Sequence, residues 1–189
     1  MEWVIRFCIL AIVLFISIRL KKTEKENDWK SQKAIKSKIE NYQPSMITIY
    51  NKEREVVFRQ PSLIALDKKT GIIRYVGDEV VGCRDSDIQE ELIIGSPFRK
   101  GVVADFDTAA DLIKILLRYL KIKKYLSSVR QRVAICVPVD MTSVEHKAWS
   151  ECMLKAKARK VLIIEDSFQL AIQKIPAEYG VVIEITPEI

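Results

Sequence analysis

Residues 132–167 read RVAICVPVDMTSVEHKAWSECMLKAKARKVLIIEDS, and the change of pattern inside them decides the fold. Arg132 to Val139 is apolar on both alternating sets, as a strand buried on both faces of a parallel sheet must be. Thr142 then opens a helix that runs to about Lys157, with Val144, Ala148, Trp149, Cys152, Met153 and Ala156 recurring at helical spacing as its apolar face. Lys160 to Ile164 is a second apolar run of strand length. Strand, helix and strand in that order place this part of the chain in the α/β class.

Working outward, Ser167 to Lys174 reads as a short helix and Tyr179 to Ile185 as a last strand. On the other side, Asp107 or Thr108 caps a helix reaching about Tyr125, with Leu112, Ile113, Leu116, Leu117 and Leu120 on one face. Before it come short β-rich runs: Met46 to Tyr50, Val56 to Phe58, Leu63 to Leu66 and Ile72 to Val76. Turn-like residues 51–54 and 67–71 divide them, which predicts an antiparallel meander. Residues 80–100 are of mixed polarity with Gly82, Gly95 and Pro97, and predict a small irregular excursion. The expectation for residues 46–189 is one domain, a mixed β-sheet flanked by helices.

The N-terminal 20 residues differ in kind. Trp3 to Leu20 reads WVIRFCILAIVLFISIRL, apolar on all sides of a helix, with Arg6 and Arg19 near its ends. At about 1.5 Å per residue it reaches about 27 Å, close to the roughly 30 Å of a hydrocarbon core. Trp3, Arg6, Phe7, Phe15 and Arg19 are the expected membrane residues, with the arginines snorkelling toward headgroups. No small-x-small cleavage site follows, so residues 1–20 predict a single-pass transmembrane anchor rather than a signal peptide. Residues 21–45 form a basic, polar stalk. Lys21, Lys22, Lys25 and Lys30 outweigh Arg6, and the positive-inside rule then puts the domain on the cytoplasmic side of the cell membrane. There the same lysines face anionic lipid.

Location also explains the charge. The chain carries a formal +6, and residues 19–40 alone hold eight Lys or Arg against four Asp or Glu. That basic stretch fits a membrane surface and needs no nucleic acid. The four cysteines, Cys8, Cys83, Cys136 and Cys152, show no C-x-x-C spacing, which points away from a zinc site or a disulfide framework. His146 is the one histidine, expected on a helix surface and not in a metal centre.

Five segments, in order, resemble the MreB family, the actin-like, rod shape-determining proteins of bacteria: VVFRQPSLIAL at 56–66, YVGDEV at 75–80, GVVADFD at 101–107, VAICVPVDMTSVEHKA at 133–148 and ARKVLIIEDSFQLAI at 158–172. The resemblance implies a single actin-like, ribonuclease-H-like lobe. In that family the nucleotide lies between two lobes; this chain matches the first and stops at Ile189, where the second is expected to begin. The family's Asp-Leu-Gly-Thr loop falls on Asn41-Tyr42-Gln43-Pro44-Ser45. Its Asp-Ile-Gly-Gly-Gly-Thr loop falls on Glu184-Ile185-Thr186-Pro187-Glu188. Glycine lets backbone N–H groups approach phosphate, and tyrosine, proline and glutamate do not.

Glu145 stands where the family has the glutamate that positions the attacking water. The same residues, Thr142-Ser143-Val144-Glu145, also make a helix capping box. Asp105 and Asp107 read as a strand end and a helix cap, not as a metal pair. The family's contact between paired filaments corresponds to the helix from Asp107, where Ile115 and Tyr119 point away from the core stripe. The resemblance therefore implies a membrane-anchored protein without a cofactor, acting non-catalytically through an actin-like filament or an envelope-synthesis protein. The alternative is a weak ATP-binding or ATPase subunit, using ATP and Mg, whose cleft another chain completes. The intact core stripes suit a repurposed domain better than a decayed gene remnant.

Overall fold

The computed structural model describes residues 44–83, 91–122 and 131–187. The order of elements is β1 (Ser45–Tyr50), β2 (Val56–Pro61), β3 (Ile64–Asp67), β4 (Ile73–Val76), α1 (Asp78–Val81), β5 (Leu92–Gly95), β6 (Phe98–Arg99), β7 (Val102–Val103), α2 (Phe106–Ile122), β8 (Arg132–Val137), α3 (Ser143–Lys155), β9 (Lys160–Glu165), α4 (Phe168–Ala171) and β10 (Val181–Pro187). Five strands form the main sheet in the order β2-β1-β10-β8-β9. β1 is antiparallel to both β2 and β10, while β10, β8 and β9 run parallel.

Alternation along β8 shows why the sheet needs cover on both sides. Val133, Ile135 and Val137 join Ile47, Ile49, Val181, Ile183 and Ile185 in one core, closed by Leu112, Ile113, Leu116 and Leu120 of α2 and by Trp149, Cys152 and Met153 of α3. Ala134 and Cys136 point the other way and meet Val182, Phe168, Ala171, Ile175 and Tyr179. The two central strands are thus buried on both faces, which accounts for their unbroken apolar sequence.

Several expectations change. The N-terminal β-rich runs do not form one meander: β1 and β2 pair in the main sheet, whereas β3 pairs with β4 and β5 in a separate three-stranded sheet. The region expected to be irregular, 80–100, supplies the end of α1, then β5 and β6; Leu92 and Ile94 of β5 bury against Leu63, Ala65 and Val80. β9 is half-buried because it is an edge strand, paired only with β8. Val144 is 74% exposed and not on the core face of α3, whose buried residues are Trp149, Cys152 and Met153. Asp105, not Asp107 or Thr108, caps α2: its carboxylate accepts from the Thr108 N–H at 3.2 Å and hydroxyl at 2.7 Å. Asp107 pairs instead with Lys155 of α3.

The domain also begins earlier than residue 46, for Ser45 pairs with Pro187 and Pro44 bridges to Arg99. Residues 1–20, and the stalk up to residue 43, lie outside the described residues. Among the described residues, no helix is long and apolar enough to cross a membrane.

β10 has an unexpected place. The resemblance aligns its end with the loop that opens the second lobe, yet the strand lies in the middle of the first lobe's own sheet, between β1 and β8. Val181, Val182 and Ile183 are fully buried there. The segment VVI has no face that could remain in water: α2 and α3 cover Val181 and Ile183 on one side, and α4 with Ile175 and Tyr179 covers Val182 on the other.

Candidate functional site

In open α/β sheets, ligands bind at the carboxyl ends of parallel strands, where the connections diverge. That edge here is formed by the ends of β8, β9 and β10. A cavity of about 140 Å³ lies on it, lined by Cys136 to Val139, Asp166, Ser167 and Glu184 to Pro187. Antiparallel pairing brings the start of β1 and the end of β10 together on this edge, with Ser45 opposite Pro187 and Met46 opposite Thr186.

The chemistry of the edge is acidic. Glu184 accepts from the Tyr50 hydroxyl at 2.8 Å and from the Phe168 N–H at 2.9 Å. Tyr50 stacks on Phe168, ring centroids 3.6 Å apart, which fixes the hydroxyl toward that carboxylate. Burial first, and then the bond to Glu184, pushes the Tyr50 hydroxyl far above the usual tyrosine range. Asp166 accepts from the Ser167 N–H at 2.9 Å and from Lys174 at 3.2 Å. Cys136 is pushed up to about 12, by burial first and then by Glu184 and Asp166, so its thiol stays protonated and inert.

No glycine lines this cavity, and Pro138 and Pro187 carry no N–H. The donor at the start of α4, Phe168 N–H, already has a carboxylate partner within the chain. One glycine is close by and serves packing instead. Gly101, at φ +81°, donates its N–H to Ser45 Oγ at 3.0 Å and accepts from Trp149 Nε1 at 3.2 Å. A Cβ there would lie 2.3 Å from Pro138 Cγ.

Glu145 sits at the start of α3 beside this edge. The capping box forms: Thr142 Oγ1 accepts from the Glu145 N–H at 3.3 Å, and the Glu145 carboxylate accepts from the Thr142 N–H at 2.7 Å. The Thr142 hydroxyl also donates to that carboxylate at 2.7 Å, and this bond first, then the one from the Thr142 N–H, holds the carboxyl below its ordinary value of 4.5. His146, the next residue, bonds Glu165 at the end of β9. Glu165 also accepts from the Met141 N–H at 3.3 Å, and its carboxyl is lowered chiefly by His146. Neither the His146–Glu165 pair nor the Tyr50–Glu184–Phe168 arrangement is legible in the sequence. Each joins residues 16 or more positions apart, with no fixed spacing to reveal them.

The candidate contact residues lie elsewhere. Ile115 and Tyr119 are 39% and 44% exposed. With Leu116 they line a cavity of about 230 Å³ between α2 and the β-strands, closed by Phe58, Ile73 and Val76. Tyr119 meets Phe58 edge-on, centroids 6.5 Å apart. Trp3, Arg6, Phe7, Phe15 and Arg19 lie outside the described residues.

A family model described as MreB/Mbl protein matches residues 44–180. Over 123 residues the chain is 33% identical to the cell shape-determining protein Mbl of Bacillus subtilis, spanning 64% of this chain and 35% of that protein. Over 131 residues it is 27% identical to the cell shape-determining protein MreB of Escherichia coli, spanning 66% and 36%. The chain thus spans about a third of the length of these relatives. Among solved structures, MreB5 of Spiroplasma citri bound to ADP aligns with a TM-score of 0.54 at 22% identity, over 69% of this chain and 38% of that one. The MamK double helical filament aligns with a TM-score of 0.52 at 16% identity, over 69% and 40%. These structural likenesses establish an actin-like fold, and with the family model covering most of the described domain, the chain belongs to the MreB/Mbl family.

Proposed function

We propose that this protein is a membrane-tethered, MreB-like lobe that serves cell-shape or envelope organisation through protein contacts and does not hydrolyse ATP. The observation that carries the reading is the edge where β8, β9 and β10 end. Its cavity has two carboxylates, two prolines and no glycine, and its helix-start N–H is taken by Glu184. A polyphosphate approaching it would meet like charge and find no backbone cradle. Glu145 then works as a helix cap.

The contact surface in this reading is the groove holding Ile115 and Tyr119. The relative MamK forms a double helical filament, and the curated relatives are cell shape-determining proteins, so an actin-like filament or an envelope-synthesis protein is the proposed partner. Residues 1–20 supply the single-pass anchor and residues 21–43 a basic stalk against anionic lipid, with the lobe on the cytoplasmic side of the cell membrane. Calorimetry of the full chain in detergent with ATP and Mg tests the first half: no heat of binding is expected. A saturable Mg-dependent signal together with phosphate release overturns it. Capture of a full-length MreB filament on the immobilised chain, lost in Ile115→Asp, tests the second half; equal capture by that variant removes the groove from the account.

One observation favours a second reading, a weak ATP-binding subunit completed by another chain. Glu145 is retained at the position of the family's water-positioning glutamate, close to the strand ends. ATP binding that appears only on mixing with a second actin-like chain would select it.

A further inference from the structure

The described lobe begins beside the cavity on the carboxyl edge. Ser45, the first residue of β1, lies opposite Pro187, which is itself a wall of that cavity. From β1 the edge runs past the ends of β10 and β8 to that of β9. At about 4.8 Å between neighbouring strands, the way from β1 to β9 is about 14 Å. The surface changes along it. Arg99, bridged to Pro44, and Lys100 stand where the chain enters. The cavity follows, apolar at Pro138, Val139, Ile185 and Pro187, with Val139 63% exposed. Beyond it the charge is negative: Asp140 follows β8, and Glu165 and Asp166 close β9. Among the described residues Asp140 is in no ion pair. Asp166 has Lys174, an exposed partner of the kind that contributes little.

The stretch of sequence that leads into Pro44 carries the complementary pattern. Residues 33–43 read KAIKSKIENYQ, with Ile35 and Ile39 set among Lys33, Lys36 and Lys38 and a single acid, Glu40. Six residues separate Ile39 from Ser45, an extended reach of about 20 Å, enough to cross the cavity and arrive at the end of β9. Covalent attachment at Pro44 also supplies a local concentration on the order of millimolar, so weak contacts suffice to fill the edge. A separate chain lacks that advantage.

We infer that residues 33–43 of this chain lie across the carboxyl edge, Ile35 and Ile39 over Val139 and its cavity, and Lys33, Lys36 and Lys38 toward Asp140, Glu165 and Asp166. The inference rests on the reading that this edge holds no nucleotide, and names what covers it instead. The isoleucines and the cavity walls leave water together, which supplies the attraction. The lysines and acids set the direction in which the segment runs more than they add strength. Lys21, Lys22, Lys25 and Lys30, nearer the proposed anchor, remain for anionic lipid. Docked in this way, the chain keeps residues 21–32 as the free length between anchor and lobe.

The test is carbodiimide cross-linking of the full chain in detergent, which joins a lysine amine to a carboxylate in direct contact. Mass spectrometry on a mixture of isotope-labelled and unlabelled chains separates links within a chain from links between chains. Links within one chain, from Lys33, Lys36 or Lys38 to Asp140, Glu165 or Asp166, are expected. They should exceed links from the same lysines to Glu53 and Glu178, at the other ends of the strands, by at least about tenfold. I35S/I39S is expected to lower their yield at least about fivefold. V139S, at an exposed residue of the lobe, should lower it about twofold or more with the urea midpoint unchanged, which separates lost docking from lost folding. K21Q/K22Q/K25Q is expected to change it by less than about twofold. Links chiefly between labelled and unlabelled chains would put a second copy on the edge and overturn the proposal. So would equal links to Glu53 and Glu178, or a yield that I35S/I39S leaves unchanged. Loss of the links on adding phosphatidylglycerol vesicles would assign the segment to lipid and overturn it as well. No nucleotide is present, so missing links overturn the segment's place alone, whereas calorimetry with ATP and Mg decides the reading of the edge.

Discussion

Gly101 is the residue whose replacement the structure penalises most plainly. Its φ of +81° disfavours any side chain, and a Cβ would press on the Pro138 ring at 2.3 Å. Gly101→Ala is expected to cost about 2–4 kcal/mol, read as a lower urea midpoint with an unchanged m-value. At the head of α3, Thr142→Ala removes one half of the capping box and should cost about 1 kcal/mol. The same pair sets an acid limit. Glu145 and Glu165 have carboxyls below their ordinary value of 4.5, and Asp67, bonded chiefly by Arg74 and then by Thr70, lies below its ordinary 3.8. A depressed carboxylate stabilises the fold above its unfolded value and loses that contribution as pH falls through its folded one. The urea midpoint should therefore hold from neutral pH down to about 5 and drop below about 4.5. Thr142→Ala should weaken that drop, since the Thr142 hydroxyl is the main cause of the Glu145 shift. A midpoint independent of pH between neutrality and 3.5 would contradict the hydrogen bonds described.

Among elements, β10 does the most for the fold. Strand order makes it the centre of the main sheet, hydrogen-bonded to β1 on one side and β8 on the other. Ile183→Ala at its middle is expected to cost about 2–5 kcal/mol, at the level of a core deletion that leaves a cavity. Glu184→Ala acts differently, leaving the Tyr50 hydroxyl and the Phe168 N–H without their acceptor, at about 1–3 kcal/mol. Glutamine at 184 retains an acceptor and should restore most of that loss, with circular dichroism following both variants. The sequence announced β10 by its apolar run, but nothing local told it where to go. A strand with two apolar faces satisfies any slot with cover on both sides, and pairing partners lie more than 130 residues away along the chain at β1. α2, by contrast, was legible down to its core stripe, because five leucines and isoleucines at helical spacing admit one inward face.

At the scale of the molecule, the separation of stability from function is the testable point. Ile115 and Tyr119 are partly exposed beside a groove, and Tyr119 meets Phe58 edge-on, so Tyr119→Ala is expected to lower stability by about 1 kcal/mol, well short of unfolding the lobe. The same change should weaken capture of a filament partner at least about tenfold if Tyr119 anchors the contact. Full capture by a folded Tyr119→Ala protein would put the contact on another face. Sequence alone determined the α/β class and the family, because residue periodicity and motif spacing are local and survive without neighbours. The tertiary structure decided the rest. It divided the early strands between two sheets, set β10 at the centre, turned Glu184 onto the start of α4 and gathered the ends of β8, β9 and β10 around one cavity. Each of those outcomes depends on which distant segments share a face, a quantity fixed by burial and pairing across the whole domain rather than by any stretch of chain read on its own.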